Sequence, residues 1–212
     1  MTRTAFLVDG FNLYHSLLAA RDALGGAGTR WLDLRALCSS FLYRIGGGAE
    51  LVEVTYFSAL AHHLDGKSPA TTKRHRLYME CLRDSGIRIQ LGHFKRATLR
   101  CPECGTKVPR HEEKETDVAI GVSLMQKFAR DECDVAVIIT GDSDQVPAVR
   151  AALDVFPSGR VFVCFPFDRV SDELRQVASG HFRIGAGQYA NHQLPNPVVT
   201  HDGEIIRKPE GW

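Results

Sequence analysis

Two short, uninterrupted apolar runs constrain the fold of this chain more than any other feature. The runs Ala5-Phe6-Leu7-Val8 and Val135-Ala136-Val137-Ile138-Ile139 contain no polar residue. Strands of this kind are covered on both faces, as in a parallel sheet between two layers of helices, whereas half-exposed strands alternate apolar and polar residues. Both runs therefore predict central strands of a parallel sheet.

Strand and helix patterns alternate along most of the chain. Further strands are predicted at residues 51–60, 87–94, 160–165 and 182–184, and helices at residues 12–24, 32–45, 68–83, 117–130, 143–153 and 171–178. In the helix from residue 117, Val118, Val122 and Met125 recur at the spacing i, i+4, i+7, which favours a helix. The alternation predicts an α/β fold, a three-layer α/β/α sandwich with a mainly parallel central sheet, over residues 1–187.

Two segments depart from this alternation. Residues 95–114 are charged and without periodicity, and we expect an irregular insert there. Residues 188–212 contain three prolines and little periodicity, and we expect a C-terminal tail that lies over the surface or is mobile.

Composition excludes several classes of protein. With 44% hydrophobic and 24% charged residues, the 212-residue chain can bury a core without disulfides. The formal net charge of +1 means that a nucleic-acid partner would need a local basic patch. The first apolar run is too short for a signal peptide, and no stretch approaches the roughly 20 apolar residues of a membrane span. We therefore expect a cytoplasmic protein without a membrane partner.

Acidic residues follow both apolar strands. Asp9 comes directly after the first, Asp142 and Asp144 come just after the second, and Asp117 begins the preceding helix. The carboxyl ends of parallel strands meet at one edge of a sheet, so these carboxylates converge if the two strands are neighbours. Clustered carboxylates repel one another unless a cation binds, and Mg²⁺ or Mn²⁺ prefers oxygen ligands. Waters bound to such a cation can attack a phosphodiester.

Each acid also has a purely structural interpretation. Asp142 with Gln145 matches a helix capping box, and Asn12 is also a suitable cap. Asp117 and Asp144 suit the first turn of a helix, where the helix dipole favours negative charge. Spacing alone therefore supports only a metal or phosphate site.

A family resemblance sharpens this interpretation. The string Val8-Asp9-Gly10-Phe11-Asn12-Leu13-Tyr14 resembles the opening motif of NYN domains, a PIN-like group that includes LabA-like proteins. The strings at residues 114–117 and 140–144 resemble its second and third motifs, in the same order. The resemblance implies a PIN-like sandwich that cleaves RNA, single-stranded RNA above all, with Mg²⁺ or Mn²⁺. It implies that the catalytic, metal-binding acids are Asp9, Asp117, Asp142 and Asp144, with Asn12 as a polar site residue; Glu113 and Glu115 stay open as alternatives to Asp117.

The pair Cys101 and Cys104 has the spacing with which two thiolates bind one zinc ion. Structural zinc needs four ligands, and we expect His111 as the third and His93 as the fourth. A site shared between two subunits of a homodimer is the alternative, and a metal-free turn is another. Some NYN proteins resemble this chain in carrying such a pair, which favours a structural zinc that braces the chain before Asp117.

Basic residues cluster in the same segment and are expected to contact RNA phosphates, which positions the backbone without reading its sequence. They are Lys95, Arg96, Arg100, Lys107, Arg110 and Lys114. A second group, at residues 73–76, is interpreted as an ordinary solvated surface or a further phosphate contact.

Three hypotheses follow from the sequence. The first is a metal-dependent RNA endonuclease. The second is a non-catalytic NYN module that binds RNA or protein in a regulatory complex, and the third is a metal-dependent phosphoesterase that acts on DNA or nucleotides.

Overall fold

The computed structural model of the chain describes residues 1–66, 68–100 and 103–212, and only the backbone of residues 69, 97 and 108–113. Seven strands form its main sheet: β1 (Thr2–Asp9), β2 (Ala49–Ala59), β3 (Arg88–Arg100), β4 (Lys107–Lys114), β5 (Val135–Ile139), β6 (Arg160–Phe165) and β7 (Gly180–Arg183). Their order is β4-β3-β2-β1-β5-β6-β7. All neighbours run parallel except β3 and β4.

Helices cover both faces of this sheet. They are α1 (Gly10–Ala23), α2 (Leu34–Ser39), α3 (Leu42–Ile45), α4 (Pro69–Asp84), α5 (Thr116–Ala129), α6 (Val146–Val155), α7 (Asp172–Val177) and α8 (Ala186–Asn191), with single 3₁₀ turns at His62–Leu64 and Ser143–Gln145. Helices α1, α2, α4 and α8 contribute to the core on one face, and α5, α6 and α7 to the core on the other. The predicted α/β sandwich with a mainly parallel sheet is confirmed.

Strand β1 lies at the centre of the sheet and shows why an all-apolar run is needed there. Phe6 and Val8 pack into the core under α1, while Ala5 and Leu7 pack into the core under α5, and all four are fully buried. Burying an aliphatic or aromatic side chain of this size stabilises the fold by roughly 1.5–3 kcal/mol. Because β1 and β5 are adjacent, their carboxyl ends lie side by side.

The buried face of helix α5 is not the face on which Val118 and Val122 lie. Val118 and Val122 are 70% and 49% exposed, and the buried face consists of Ile120, Leu124 and Phe128. Both sets recur at helical spacing, since the helix is apolar over most of its circumference. Periodicity cannot choose between two apolar faces, and the choice is made by how the helix packs on β1 and β5.

The expectation of an irregular stretch at residues 95–114 is wrong. Strand β3 continues to Arg100 and turns back as β4, with an unbroken antiparallel register from His93 opposite Lys114 to Arg100 opposite Lys107. The described side chains of this hairpin are largely exposed on both faces. A strand pair without a buried face carries no hydrophobic alternation, so its sequence resembles that of a loop.

The predicted boundary between domain and tail falls inside α8. Tyr189 of that helix is fully buried, and beyond it Leu194, Val198 and Ile206 join the core on the α1 side. The short strands β8 (Val198–Val199) and β9 (Ile205–Ile206) pair in this segment, and Trp31 donates its indole N–H to the Pro195 carbonyl. Residues 188–206 thus pack against the sandwich as part of the same core.

None of the helices in the described parts of the chain combines the length and the hydrophobicity that crossing a bilayer requires. The cytoplasmic location stays a prediction.

Candidate active site at the carboxyl ends of β1 and β5

Asp9 is the best-fixed acid of the site. It ends β1 and also caps α1, because its Oδ1 accepts the Asn12 backbone N–H at 2.9 Å. Its Oδ2 accepts the Thr140 hydroxyl at 2.8 Å from the end of β5. Asp9 is 4% exposed and Thr140 is fully buried, so the carboxylate is held at one position between the two strands.

Burial raises the pKa of Asp9 to about 6, since an ionised carboxylate loses hydration there. The two hydrogen bonds act in the opposite direction and lower the pKa, while the nearby charges of Asp117 and Asp142 raise it further. The charges of Asp117 and Asp142 therefore reach the Asp9 carboxylate. Elevated pKa values of this origin are concentrated at functional sites.

Asp142 lies just beyond β5 and next to Asp9. Its backbone N–H donates to Thr140 Oγ1 at 3.1 Å, and its Oδ1 accepts the Asp144 N–H at 3.0 Å. It thus caps the 3₁₀ turn, as its structural interpretation predicts, but by a bond to the second residue along and not through a capping box. Asp144 is exposed and does not contribute to the pKa of Asp9, so it stands at the edge of the cluster.

Asp117 is exposed in the first turn of α5, and its charge reaches Asp9. Gln145, which is 1% exposed, donates its side-chain N–H to the Asp117 carbonyl at 3.2 Å and lies 3.5 Å from Oδ1. The alternative Glu115 instead pairs with His93 Nδ1 at 3.2 Å, and the side chain of Glu113 lies outside the described residues. Asp117 is therefore the acid of this segment that the fold brings to Asp9.

Asn12 connects the two halves of the site and is not a helix cap. Its Oδ1 accepts the Gly141 N–H at 3.0 Å, which ties α1 to the loop after β5. A Cβ on Gly141 would lie 3.0 Å from the backbone of Arg169, so the loop after β6 packs directly against this point.

The oxygen ligands suit a hard divalent cation that keeps part of its hydration shell. Among the described residues no three Asp, Glu, His or Cys side chains stand ready as a metal site. Mg²⁺, however, commonly binds proteins through only one or two carboxylates and retains several waters. Asp9 with Asp142 or Asp117 supplies such a set. A cation would offset the lost hydration of the buried Asp9 carboxylate, which is the main cause of its raised pKa, and also the nearby negative charges.

Glycine is required at position 10, between Asp9 and the helix it caps. A Cβ there would lie 2.5 Å from the Phe57 carbonyl oxygen and 2.7 Å from Cζ of Tyr56. We expect Gly10→Ala to lower the free energy of unfolding by about 1–3 kcal/mol, because backbone must move to admit the methyl group. The matched control is Gly187→Ala in α8, where a Cβ meets nothing within 4 Å. Urea unfolding of both variants tests this, and a wild-type value for Gly10→Ala would contradict it.

A cavity of about 350 Å³ opens beside the acids, on the α1 face of the sheet. Gly10 and Tyr56 form the part of its wall nearest Asp9. Aromatic rings dominate the wall, and polar groups of α4 enter it, among them Arg74 and His75. Burial lowers the pKa of His75 to about 4, so this imidazole is neutral near pH 7.

The basic residues of residues 95–114 are spread along the hairpin instead of forming one patch. Lys114 opposes His93 at the base and lies three residues before Asp117, whereas Arg100 and Lys107 flank the turn. Seven residues of strand separate His93 from Arg100, which corresponds to roughly 23 Å. Lys95 and Arg96 are exposed near the base, and the side chain of Arg110 lies outside the described residues.

The hairpin separates the predicted zinc ligands. Cys104 is exposed in the turn, and its Sγ lies 3.1 Å from the Thr106 hydroxyl oxygen, while Cys101 lies outside the described residues. Ligating atoms of one zinc ion lie only roughly 4 Å apart. His93 lies seven residues before Arg100, the last residue of β3 before the turn. The backbone of His111 opposes Arg96, which is roughly 13 Å from the turn along the strand. In this structure His93 stands far from Cys104 along the hairpin, and a zinc site that joins Cys101, Cys104, His111 and His93 of one chain stays a prediction.

Sequence reasoning missed Thr140, Gln145 and Tyr56. Thr140 opens the predicted motif of residues 140–144 but was given no role there, and Gln145 was considered only as a capping partner. Tyr56 belongs to β2, and it attracted no attention because aromatic residues are common in any strand. Nothing in the sequence indicates that the Tyr56 ring reaches Gly10, since that contact depends on the pairing of β1 with β2.

Comparisons with known proteins identify the family of the chain. The model of the NYN domain family matches residues 3–185, so the chain belongs to the NYN domain family, which has a nuclease-like fold. It is 26% identical to the 6-hydroxy-3-succinoylpyridine 3-monooxygenase HspA of Pseudomonas putida, over 99% of this chain and 75% of that protein. It also resembles the crystal structure of a Vibrio parahaemolyticus protein of unknown function, with a TM-score of 0.55 and 19% identity over 87% of this chain and 93% of the other.

Proposed function

We propose that the protein is a metal-dependent ribonuclease, an endonuclease that hydrolyses RNA phosphodiester bonds. The observation that carries the proposal is the convergence of Asp9, Asp117 and Asp142, with a raised pKa at the buried Asp9. A protein that only binds RNA gains nothing from negative charge concentrated where phosphate must approach. Membership of a family with a nuclease-like fold supports the same chemistry.

In this proposal Asp9, Asp142 and Asp117 hold Mg²⁺ or Mn²⁺, and Asp144 stands at the rim. The cation, when bound, would supply Lewis acidity and a water of lowered pKa. Thr140 and the Asn12 N–H hold the Asp9 carboxylate in place, and Gln145 orients the backbone that carries Asp117. Asn12 fixes the loop that carries Asp142. Lys114 and Lys95 lie at the base of the hairpin, the end nearest Asp117 in the chain, and they would contact RNA phosphates.

The direct test is incubation of the protein with labelled single-stranded RNA and DNA, with Mn²⁺ or Mg²⁺ and in chelator. We expect RNA fragments that depend on the cation and DNA that stays intact. Cleavage in chelator would contradict the role of the acids. RNA that is bound but never cut, by protein shown to be folded, would favour a non-catalytic module, and cleavage of DNA in preference to RNA would favour the other phosphoesterase.

A second candidate function is the transformation of a small heteroaromatic acid. Two observations favour it: the aromatic cavity beside Asp9, and the similarity over nearly the whole chain to a protein named as a monooxygenase of 6-hydroxy-3-succinoylpyridine. Incubation with that compound, followed by mass spectrometry, tests it. An unchanged substrate together with cation-dependent RNA cleavage would favour the nuclease.

We also propose that zinc is bound at the turn of the hairpin and is shared by two chains. Cys101 and Cys104 of each chain would give a set of four thiolates, which is a common structural zinc site. We expect one zinc ion per two chains by elemental analysis, and loss of both zinc and dimer in Cys104→Ser but not in Glu103→Gln of the same turn. A monomer that holds one zinc per chain, or purified protein without zinc, would contradict the shared site.

A further inference from the structure

The cavity beside Asp9 has two walls of aromatic rings. Phe94 packs edge-on against Phe11 at 5.6 Å and against His63 at 4.6 Å between ring centroids. In a second group of lining rings, Tyr78 stands at 6.4 Å from Tyr56 and at 5.2 Å from Trp212. Walls of this kind accept a flat ring, because a planar aromatic guest contacts rings by stacking and by edge-to-face packing.

Its volume sets the size of the guest. A cavity of about 350 Å³ lies at the lower end of the range for small-molecule sites, which is roughly 300–1,000 Å³. One ring with one substituent or one nucleotide unit fits this space.

Arg74 sets the charge of the guest. This residue lines the cavity, and its Nε–H is buried with no hydrogen-bond partner in the described part of the chain. A buried donor without a partner costs roughly 1–3 kcal/mol, and a carboxylate or phosphate satisfies a guanidinium through two parallel hydrogen bonds. The neutral His75 and the Ser58 hydroxyl, 3.5 Å apart, add polar groups that carry no competing charge near pH 7.

We propose that this cavity binds a single planar aromatic ring that carries one anionic group, with the ring between the two aromatic walls and the anion on Arg74. The ring and its charge are found both in a free aromatic carboxylate and in a nucleotide unit of a nucleic acid. The cavity lies beside the carboxylate cluster, but its lining includes none of the four acids, so the binding can be measured without RNA cleavage.

The test is a calorimetric or NMR titration with two pairs of probes. Nicotinate and uridine 5′-monophosphate carry a ring and an anion, whereas nicotinamide keeps the ring without the charge and cyclohexanecarboxylate keeps the charge without the flat ring. We expect saturable binding of at least one of the first two, and binding weaker by about tenfold or more for both controls. The tighter of the two ring anions identifies the source of the ligand.

Variants of α4 complete the test. Arg74→Met is expected to weaken binding of the ring anion by about tenfold or more and to leave nicotinamide unchanged, and Arg74→Lys to restore part of the affinity. Arg83→Met is the matched control, because this arginine is exposed on the same helix. Thermal melting confirms that each variant is folded. Absence of saturable binding for both ring anions, or equal affinity in Arg74→Met and wild type, would overturn the proposal.

Discussion

Asp142→Asn is expected to lower the rate of RNA cleavage by at least about 100-fold, because it removes one charge from the carboxylates proposed to hold the cation. The substitution preserves the shape of the side chain, and the amide oxygen can still accept the Asp144 N–H that Asp142 accepts now. Folding should therefore persist. The measurement is the single-turnover rate with labelled single-stranded RNA at saturating Mn²⁺.

The matched control is Asp154→Asn, at the exposed far end of α6, the helix that begins close to Asp142. It removes the same charge from the molecule and should cleave at the wild-type rate. Asp144→Asn should fall between the two, since Asp144 lies at the rim. Equal losses for Asp142→Asn and Asp154→Asn would assign the effect to overall charge and would contradict the proposed site.

Asp9→Asn is expected to stabilise the metal-free protein near pH 7, by as much as about 3 kcal/mol. The pKa of Asp9 is about 6 in the folded state against 3.8 as the ordinary value, and each pKa unit corresponds to about 1.4 kcal/mol. Because the folded pKa is raised, the folded state holds the proton more tightly than the unfolded state. Wild-type stability therefore falls as the pH rises from about 4 to about 6, and the full penalty is present above that.

The measurement is urea unfolding of wild type and Asp9→Asn in chelator across this range of pH. The stability difference in favour of the variant should be smallest near pH 4 and should grow up to about pH 6. Mg²⁺ should then stabilise the wild type and have little effect on the variant, since ligands stabilise the state that binds them. A difference that is the same at every pH would show that Asp9 is not held with a raised pKa.

The central sheet and the position of Asp9 and Asp142 follow from local sequence. Two runs without a polar residue define β1 and β5, and an acid after each run lies at the edge where parallel strands end. The order of the strands is a property of the whole fold, so the adjacency of β1 and β5 could only be assumed from the sequence. The predicted convergence of the acids depended on that assumption. The hydrogen bond from Thr140 to Asp9 forms only because the two strands are neighbours, so the structure was needed to find this bond.

Two segments in which the apolar pattern does not indicate one buried face were harder to predict. The β3–β4 hairpin has no apolar alternation, and both faces of α5 are apolar, so periodicity failed in one segment and was ambiguous in the other. The cavity could not be predicted at all. Its walls join residues from α1, β2, α4 and β3 with Trp212, and each of these aromatic residues taken alone is an ordinary core side chain.

The central claim is that the carboxylates at the ends of β1 and β5 bind a divalent cation, and paramagnetic broadening by Mn²⁺ in ¹⁵N-labelled protein tests it most directly. We expect substoichiometric Mn²⁺ to broaden first the amide signals of Gly10, Gly141 and Asp142, and we expect the same signals to stay sharp in Asp9→Asn. Broadening that begins elsewhere, or that is the same in wild type and Asp9→Asn, would contradict the claim.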